Sequence, residues 1–212
     1  MRVIAIDGPA GAGKSTVARA LAARLGLDYL DTGAMYRAVT CAAMQRNVPV
    51  DDVAAVAALA RAMSLDVGDG GVIVDGVDVT SEIRTAEVTE SVRFVASNSD
   101  VRDELRARQR RWAREHGGGV IEGRDIGSVV FPDARLKLYL TASPRVRAER
   151  RVAEAGGDVD EIERAIASRD MSDSNRADGP LREADGSRTV DTTGLDIDQV
   201  LAAIEGLLEE GG

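Results

Sequence analysis

The chain has 212 residues, of which 44% are hydrophobic and 30% charged, so one sizeable domain can bury a core without disulfides or a structural metal. A formal net charge of −9 disfavours a nucleic-acid partner, because affinity for the phosphate backbone comes largely from Lys and Arg. Cys41 is the single cysteine and excludes a disulfide framework, while the longest apolar run, 53–60, is too short to span a membrane. The first residues are predicted as a strand and do not resemble a signal peptide, so we expect a cytoplasmic protein. We also expect a monomer.

The spacing G-x-x-x-x-G-K-S begins directly after the apolar run 3–6 and predicts a phosphate-binding loop between a strand and a helix. Backbone N–H groups of such a loop surround a phosphate, and the helix N-terminus adds partial positive charge. Lys14 would reach the β- and γ-phosphates of a nucleoside triphosphate, and the Ser15 hydroxyl would ligate Mg²⁺. A dinucleotide site would need a third glycine, which the sequence lacks at that spacing. The residues predicted to bind the triphosphate are Gly8, Pro9, Ala10, Gly11, Ala12, Gly13, Lys14, Ser15 and Thr16.

Helices and a short strand follow the loop. A first helix ends near Gly26, a strand covers 27–31, a second helix covers 32–47 and a third ends at Met63. Between 65 and 80 the hydrophobic period falls to two and turn residues recur at 68–71, which predicts two or three short antiparallel strands inserted on the main sheet.

The second half of the chain continues the alternation of helix and strand. Two helices, 85–97 and 99–114, precede a break at the glycines 117–119. The later elements are predicted as strands 120–122, 136–140 and 189–191 and helices 143–155, 159–171 and 197–208, with a frayed end at 209–212. This order predicts an α/β fold: a P-loop NTPase-type parallel sheet of about five strands, flanked by helices. Ligands of such a sheet bind outside the carboxyl ends of the strands.

Several arginines stand just after strands or at junctions with helices, where the fold would bring them to that edge of the sheet. They are Arg37, Arg124, Arg169 and Arg176. A second anion beside the triphosphate would account for them. An acceptor that is itself a phosphate needs no general base, so guanidinium groups that offset repulsion between donor and acceptor would be the larger contribution. The one histidine, His116, is interpreted as a surface residue at a helix end.

Five segments beyond the loop carry a family resemblance. They are 30–37 (LDTGAMYR), 81–85 (SEIRT), 123–127 (GRDIG), 131–134 (FPDA) and 169–176 (RDMSDSNR). In this order the chain resembles the bacterial cytidylate kinases, a family of P-loop nucleoside monophosphate kinases, over essentially its whole length. The resemblance implies one P-loop kinase domain over 1–212. It also implies an enlarged monophosphate-binding region, made of the insertion 65–80 and helices to about 116, and a short lid at about 145–158.

The resemblance implies transfer of the γ-phosphoryl group of ATP to CMP or dCMP, with Mg²⁺ as cofactor. Arg37 and Arg124 would hold the acceptor phosphate with Thr32 nearby, and Arg102 and Asp125 would read the cytosine.

The resemblance further implies that Arg169 and Asp173 contact the sugar and that Arg176 lies close to the transferring group. The lid would offer Arg147, Arg150 or Arg151 to that group. The full set implied for catalysis is Lys14, Arg124, Arg176, Arg147, Arg150 and Arg151. For Mg²⁺ the main candidate is Ser15, and Glu122 and Asp31 are candidates that would act through water.

Alternatives stay open at two points. Asp125 suits cytosine because a carboxylate complements the N4 amino group, yet the residue could instead cap a helix or pair with Arg124. A P-loop kinase for another nucleoside monophosphate or a small phosphorylated metabolite is the rival function. A signalling GTPase is excluded, since the sequence contains no N-K-x-D motif.

Overall fold

A computed structural model describes residues 1–68 and 71–210. Its strands are β1 (Arg2–Asp7), β2 (Tyr29–Asp31), β3 (Leu65–Gly68), β4 (Gly71–Val74), β5 (Val77–Asp78), β6 (Gly118–Gly123), β7 (Leu136–Thr141) and β8 (Arg188–Asp191). Its helices are α1 (Lys14–Leu25), α2 (Thr32–Gln45), α3 (Val53–Ala62), α4 (Ala86–Ser97), α5 (Ser99–Glu115), α6 (Pro144–Ala155), α7 (Val159–Ser174) and α8 (Ile197–Glu210). The turn predicted at 68–71 includes residues 69 and 70, and the frayed end includes 211 and 212; these four lie outside the described residues.

The main sheet is parallel and five-stranded, in the order β2-β6-β1-β7-β8, which confirms the predicted fold class. Strand β1 is central: Ile4 pairs with Val120 of β6 on one side and with Leu136 of β7 on the other. Every residue of β1 after Arg2 is buried, as expected for a strand covered by helices on both faces. The phosphate-binding loop leaves the carboxyl end of this central strand, where ligands of α/β sheets bind.

The predicted insertion is a small antiparallel sheet in the order β3-β4-β5. Leu65 pairs with Val74, and Val74 in turn pairs with Val77. Asp75, with φ of 48°, lies in the turn before Val77, and its carboxylate accepts the N–H of Ser64 at 2.7 Å. Antiparallel strands in the insertion are therefore confirmed.

The chain divides into two compact units. Unit 1 comprises Met1–Asp28 and His116–Gly212, and it holds strands β1, β6, β7 and β8 with helices α1, α6, α7 and α8. Unit 2 comprises Tyr29–Glu115, and it holds helices α2 to α5 with the antiparallel sheet.

Three features differ from the sequence prediction. Gly118 and Gly119 were predicted as part of a break but belong to β6, with φ of 137° and 148° that only glycine adopts readily. Helices α7 and α8 continue to Ser174 and Glu210, past the predicted ends at Met171 and Leu208, so residues 209 and 210 are helical rather than frayed. A π-helix covers Ile126–Val130, where no helix was predicted, and the N–H groups of Val130 and Phe131 bond to carbonyl oxygens five residues back.

The close approach of β6 to β1 at Gly118 gives a stability prediction. A Cβ at this position would overlap the carbonyl oxygen of Arg2, and φ is already positive, so Gly118→Ala should lower the free energy of unfolding by at least about 2 kcal/mol. Gly206→Ala is the matched control. A Cβ there meets nothing within 4 Å inside α8, so that change should raise stability by about 0.5–1 kcal/mol. Urea unfolding measures both changes, and equal effects would contradict the described packing.

Candidate active site

The phosphate-binding loop of unit 1 depends on glycine backbone geometry. Gly8, Gly11 and Gly13 have φ of 150°, 77° and 83°, and a Cβ at Gly8 would overlap the carbonyl oxygen of Leu140. Helix α1 begins at Lys14, so its first N–H groups lie at the end of the loop. Ser15 is exposed there, as a ligand of a phosphate-bound metal would need to be.

Lys14 is buried and folded back on the loop, with its Nζ donating to the carbonyl oxygen of Pro9 at 2.8 Å. Burial, followed by the positive charge of Arg124, lowers the pKa of Lys14 to about 7. Arg169 acts in the same direction, whereas the carboxylates of Glu122 and Asp7 oppose the shift. Unit 1 therefore brings two guanidinium groups and two carboxylates close enough to act on the loop lysine.

Asp7 ends β1 and binds the segment after β6. Its two carboxylate oxygens accept the backbone N–H groups of Ile126 at 2.8 Å and Gly127 at 2.7 Å, which open the π-helix. Burial raises the pKa of Asp7 to about 6, although the two backbone hydrogen bonds oppose the shift. The nearby charge of Asp125 raises it further, and that of Lys14 lowers it. Asp7 thus ties the strand before the loop to the segment that carries Arg124 and Asp125.

Three of the residues expected to contact the acceptor form an ion-pair cluster in unit 1. The carboxylate of Asp173 accepts from Nε of Arg124 at 2.9 Å through one oxygen and from Nη2 of Arg176 through the other. Burial by itself would raise the pKa of Asp173, but the charges of Arg124 and Arg176 outweigh it and hold the pKa below its ordinary value. Asp173 therefore stays ionised and fixes the two guanidinium groups.

The three arginines expected in the lid have different surroundings. Arg147 is buried and donates from Nη1 to the carbonyl oxygen of Ala10 at 3.0 Å. Arg150 donates from Nη1 to the Thr192 hydroxyl at 2.9 Å and from Nη2 to the Thr192 carbonyl at 2.8 Å. Arg151 is exposed and pairs with Glu154 at 3.2 Å on the same helix.

Thr192 contacts both the phosphate-binding loop and the end of β7 through its hydroxyl. Its hydroxyl lies 3.3 Å from the carbonyl oxygen of Ala12 and 3.0 Å from that of Thr141. The nearest atom to a Cβ built on Gly13 is Nη1 of Arg150, at 3.6 Å. Arg150 and Thr192 together thus stand against the second half of the loop.

In unit 2, the expected acceptor residues lie at or near the start of α2. Asp31 caps this helix by accepting the N–H of Ala34 at 2.9 Å, and Thr32 is buried in the first turn. Arg37, one turn further on, donates from Nη1 to the Thr89 hydroxyl at 2.8 Å and to the carbonyl oxygen of Ile83 at 3.2 Å.

Arg102 of unit 2 is 1% exposed. Its Nη1 donates to the carbonyl oxygen of Ala96 at 3.0 Å, and its guanidinium carbon lies 5.6 Å from the centre of the Tyr36 ring. Only a ligand group inserted into unit 2 could therefore reach this arginine.

Oxygen donors suited to Mg²⁺ are present at the loop. Mg²⁺ takes one or two protein oxygens and completes its shell with water and phosphate, which fits the Ser15 hydroxyl and the buried Glu122 carboxylate. Asp31, the third candidate, already uses one oxygen as a helix cap, and the other lies 3.9 Å from Nη2 of Arg84. Over residues 1–68 and 71–210, no group of three or more His, Cys, Asp or Glu side chains is arranged to hold a metal.

Sequence reasoning missed Asp7, Asp170 and Thr192. A carboxylate at the end of an apolar strand, directly before the first glycine of the loop, is a signal that could have identified Asp7. Asp170 stands inside the segment 169–176, yet its contact with the loop depends on the packing of α6 and α7. No sequence pattern marks Thr192.

Comparison with known proteins identifies a family. The family profile described as "Cytidylate kinase" matches residues 4–210. A cytidylate kinase of Desulforamulus reducens is 47% identical over 99% of this chain and 98% of its own, and one of Streptomyces avermitilis is 44% identical over 98% and 93%. Among solved structures, shikimate kinase from Bacteroides thetaiotaomicron has a TM-score of 0.50 and 15% identity over 98% of both chains, a likeness of fold alone. In the described part of the chain, every helix falls short of the length and hydropathy needed to cross a bilayer.

The buried Asp7 carboxyl should shape the pH dependence of stability. Its folded pKa of about 6 lies above the ordinary 3.8, so the folded state takes up this proton first as the pH falls. Relative to Asp7→Asn, the free energy of unfolding of the wild type should therefore increase by about 2 kcal/mol from pH 7 to pH 4. Urea unfolding across this range measures it. Asp28→Asn, at an exposed position, is the control and should parallel the wild type; an Asp7→Asn profile that also runs parallel would contradict the assignment.

Proposed function

Because the chain belongs to the cytidylate kinase family, we propose that it transfers the γ-phosphoryl group of ATP to CMP or dCMP, giving ADP with CDP or dCDP. The shared fold alone would not select this substrate, since P-loop kinases act on many acceptors. The family membership and the chemistry of the charged residues together support it.

The observation that carries the proposal is the presence of two arginines close to the buried Lys14. Burial and the charges of Arg124 and Arg169 lower its pKa, so both guanidinium groups lie close enough to interact with the ammonium group. The carboxylates of Glu122 and Asp7 offset part of this positive charge, and a bound anion would stabilise the rest. A triphosphate donor beside a monophosphate acceptor supplies that negative charge.

The donor would be held by unit 1. Backbone N–H groups of the loop and of the first turn of α1 would surround the phosphates of ATP, and Lys14 would leave the Pro9 carbonyl to reach the β- and γ-phosphates. We assign the Ser15 hydroxyl to Mg²⁺, with Glu122 acting through water. The metal, when bound, would draw charge from the β- and γ-phosphate oxygens.

The acceptor phosphate is already anionic, so this chemistry needs no residue to remove a proton. Arg124 would bind the acceptor phosphate, and Arg176 would lie beside the transferring group and offset the repulsion between the two anions. Asp173 holds both guanidinium groups in place, and with Arg169 it would contact the sugar.

Unit 2 would supply further contacts to the acceptor. Arg37 and Thr32 are assigned to its phosphate, and the buried Arg102 is assigned to the O2 and N3 acceptors of cytosine. Asp125 of unit 1, which is 5% exposed, is assigned to the N4 amino group. A buried carboxylate and a buried arginine match the donor and acceptors of cytosine, whereas uracil would place an oxygen against the carboxylate.

The proposal includes a cellular setting. Production of CDP and dCDP belongs to pyrimidine nucleotide metabolism, and the free, buried Cys41 suits a reducing cytoplasm. The negative net charge supports small phosphorylated substrates rather than nucleic acid as partners. We propose a monomeric enzyme.

An acceptor panel tests the function. ADP release from ATP and Mg²⁺ should be fast with CMP and dCMP, and well below that with UMP, AMP, GMP or no acceptor. Lys14→Met should reduce release to background in every sample, which excludes a contaminating ATPase. Equal turnover with all acceptors, or with none, would contradict the proposal. Fast turnover with a different monophosphate would favour the rival substrate.

The assignment of Asp125 gives a specificity prediction. Asp125→Ala should reduce the preference for CMP over UMP, measured as the ratio of kcat/KM values, by about five- to a hundredfold, because cytosine loses its carboxylate partner. Asp133→Ala, at an exposed position eight residues further along, is the control and should keep the wild-type ratio. An unchanged ratio in Asp125→Ala would remove this residue from base recognition.

A further inference from the structure

Two charged side chains hold the backbone of Ala10, the third residue of the phosphate-binding loop. The N–H of Ala10 donates to Oδ1 of Asp170 at 3.3 Å, and its carbonyl oxygen accepts from Nη1 of Arg147 at 3.0 Å. The same Nη1 donates to Oδ2 of Asp170, which closes a ring of hydrogen bonds. One loop residue is therefore fixed through both of its backbone polar groups.

Arg147 is itself anchored behind the loop. Its Nε donates to the carbonyl oxygen of Ala142 at 3.1 Å, just after β7, and its side chain is 8% exposed. Helix α6 also touches the loop directly, since a Cβ built on Gly11 would lie 3.0 Å from Cβ of Arg147 and 3.1 Å from its carbonyl oxygen. The guanidinium group of Arg147 is thus hydrogen-bonded both to the backbone of the loop and to the backbone just after β7.

A glycine-rich loop has many accessible conformations, and only some point its N–H groups at a phosphate. Contacts that select the receptive conformation before binding reduce the entropy that the ligand must remove. The pair of Arg147 and Asp170 suits this role, because both side chains are largely shielded from solvent and their attraction is weakly screened.

We propose that Arg147 and Asp170 are positioning residues for ATP, which together hold Ala10 and keep the loop arranged for the triphosphate. The inference rests on the proposed use of ATP by this loop. It gives Arg147 a different task from the contact with the transferring phosphoryl group that the family resemblance implies. It also gives a task to Asp170, which lies in the segment 169–176 but has no role that the resemblance implies.

Two substitutions test the pair. Arg147→Met keeps the apolar stem and loses the donors, and Asp170→Asn keeps the shape and loses the charge. Each should raise the Kd of ATP with Mg²⁺, measured by calorimetry without an acceptor, by about ten- to a hundredfold. The KM for ATP should rise in parallel, while kcat at saturating ATP and the KM for CMP stay within about threefold of the wild type. The double variant should bind ATP no more weakly than Arg147→Met, because the two side chains act as one unit.

Matched controls come from the same two helices. Arg145 of α6 pairs with Asp160 of α7 at exposed positions, so Arg145→Met and Asp160→Asn break an ion pair between these helices without touching the loop. Both should keep the wild-type Kd for ATP. Urea unfolding of every variant identifies any that fail to fold. If Arg147→Met fails to fold, the Kd of ATP for Asp170→Asn still tests the proposal.

Three results would overturn the inference. A hundredfold fall in kcat with an unchanged Kd for ATP would make Arg147 a catalytic residue. An equal rise of Kd in the control variants would show a general effect of helix packing, and an unchanged Kd in all variants would remove the pair from ATP binding. If wild-type protein binds ATP but phosphorylates no acceptor, the proposed function fails, and the Kd comparison still decides the role of Arg147 and Asp170.

Discussion

The buried carboxylate of Asp7 is the interaction on which the arrangement of unit 1 depends. A parallel sheet brings the carboxyl ends of β1 and β6 to the same edge, but pairing of the strands alone does not fix the segments that leave those ends. Asp7 does so by accepting the first two N–H groups of the π-helix. Those groups have no partner within the helix, so a charged acceptor satisfies them at the expense of burying a carboxylate. The donor loop and the segment of Arg124 and Asp125 are thereby held in one register.

Helix α7 also carries carboxylates that hold neighbouring groups in place, in this case guanidinium groups. Asp170 and Asp173 are three residues apart and so share one face of the helix. Asp170 is bonded to Arg147 and to the loop, while Asp173 is bonded to Arg124 and Arg176. One helix therefore presents two carboxylates, one bonded to the phosphate-binding loop and Arg147 and the other to Arg124 and Arg176. Each carboxylate fixes the guanidinium group of an arginine whose long side chain would otherwise be flexible.

The sequence predicts the parts of this structure that are governed by local pattern. The loop follows from its spacing, the strands from apolar runs and the insertion from a change of period, because each pattern reflects backbone geometry directly. The π-helix escapes prediction since a ladder of bonds to the fifth preceding residue has no compositional signature. Gly118 reads as a breaker, although a positive φ inside β6 is what lets the strand approach Arg2.

The contacts of individual side chains are harder to predict from sequence than the helices and strands that carry them. Arg147, Arg150 and Arg151 look alike in the sequence of α6, yet the first faces Ala10, the second faces Thr192 and the third faces solvent. Their surroundings depend on which residues the loop and the end of β8 bring against the helix, and that is a matter of tertiary packing. The types of residue expected at a kinase site follow from the motif, whereas the partner of each one does not.

Phosphoryl transfer to a phosphate oxygen accounts for both the phosphate-binding loop and the arginines beside it. This reaction needs no general base, because the acceptor oxygen is already anionic. The most direct measurement is phosphorus NMR of the products after wild-type protein is incubated with ATP, Mg²⁺ and CMP. We expect the two resonances of a newly formed nucleoside diphosphate, CDP, to grow in equal amount with ADP. Inorganic phosphate accumulating with CMP unchanged would contradict phosphoryl transfer, and a new phosphate monoester on the sugar of CMP would contradict a phosphate acceptor.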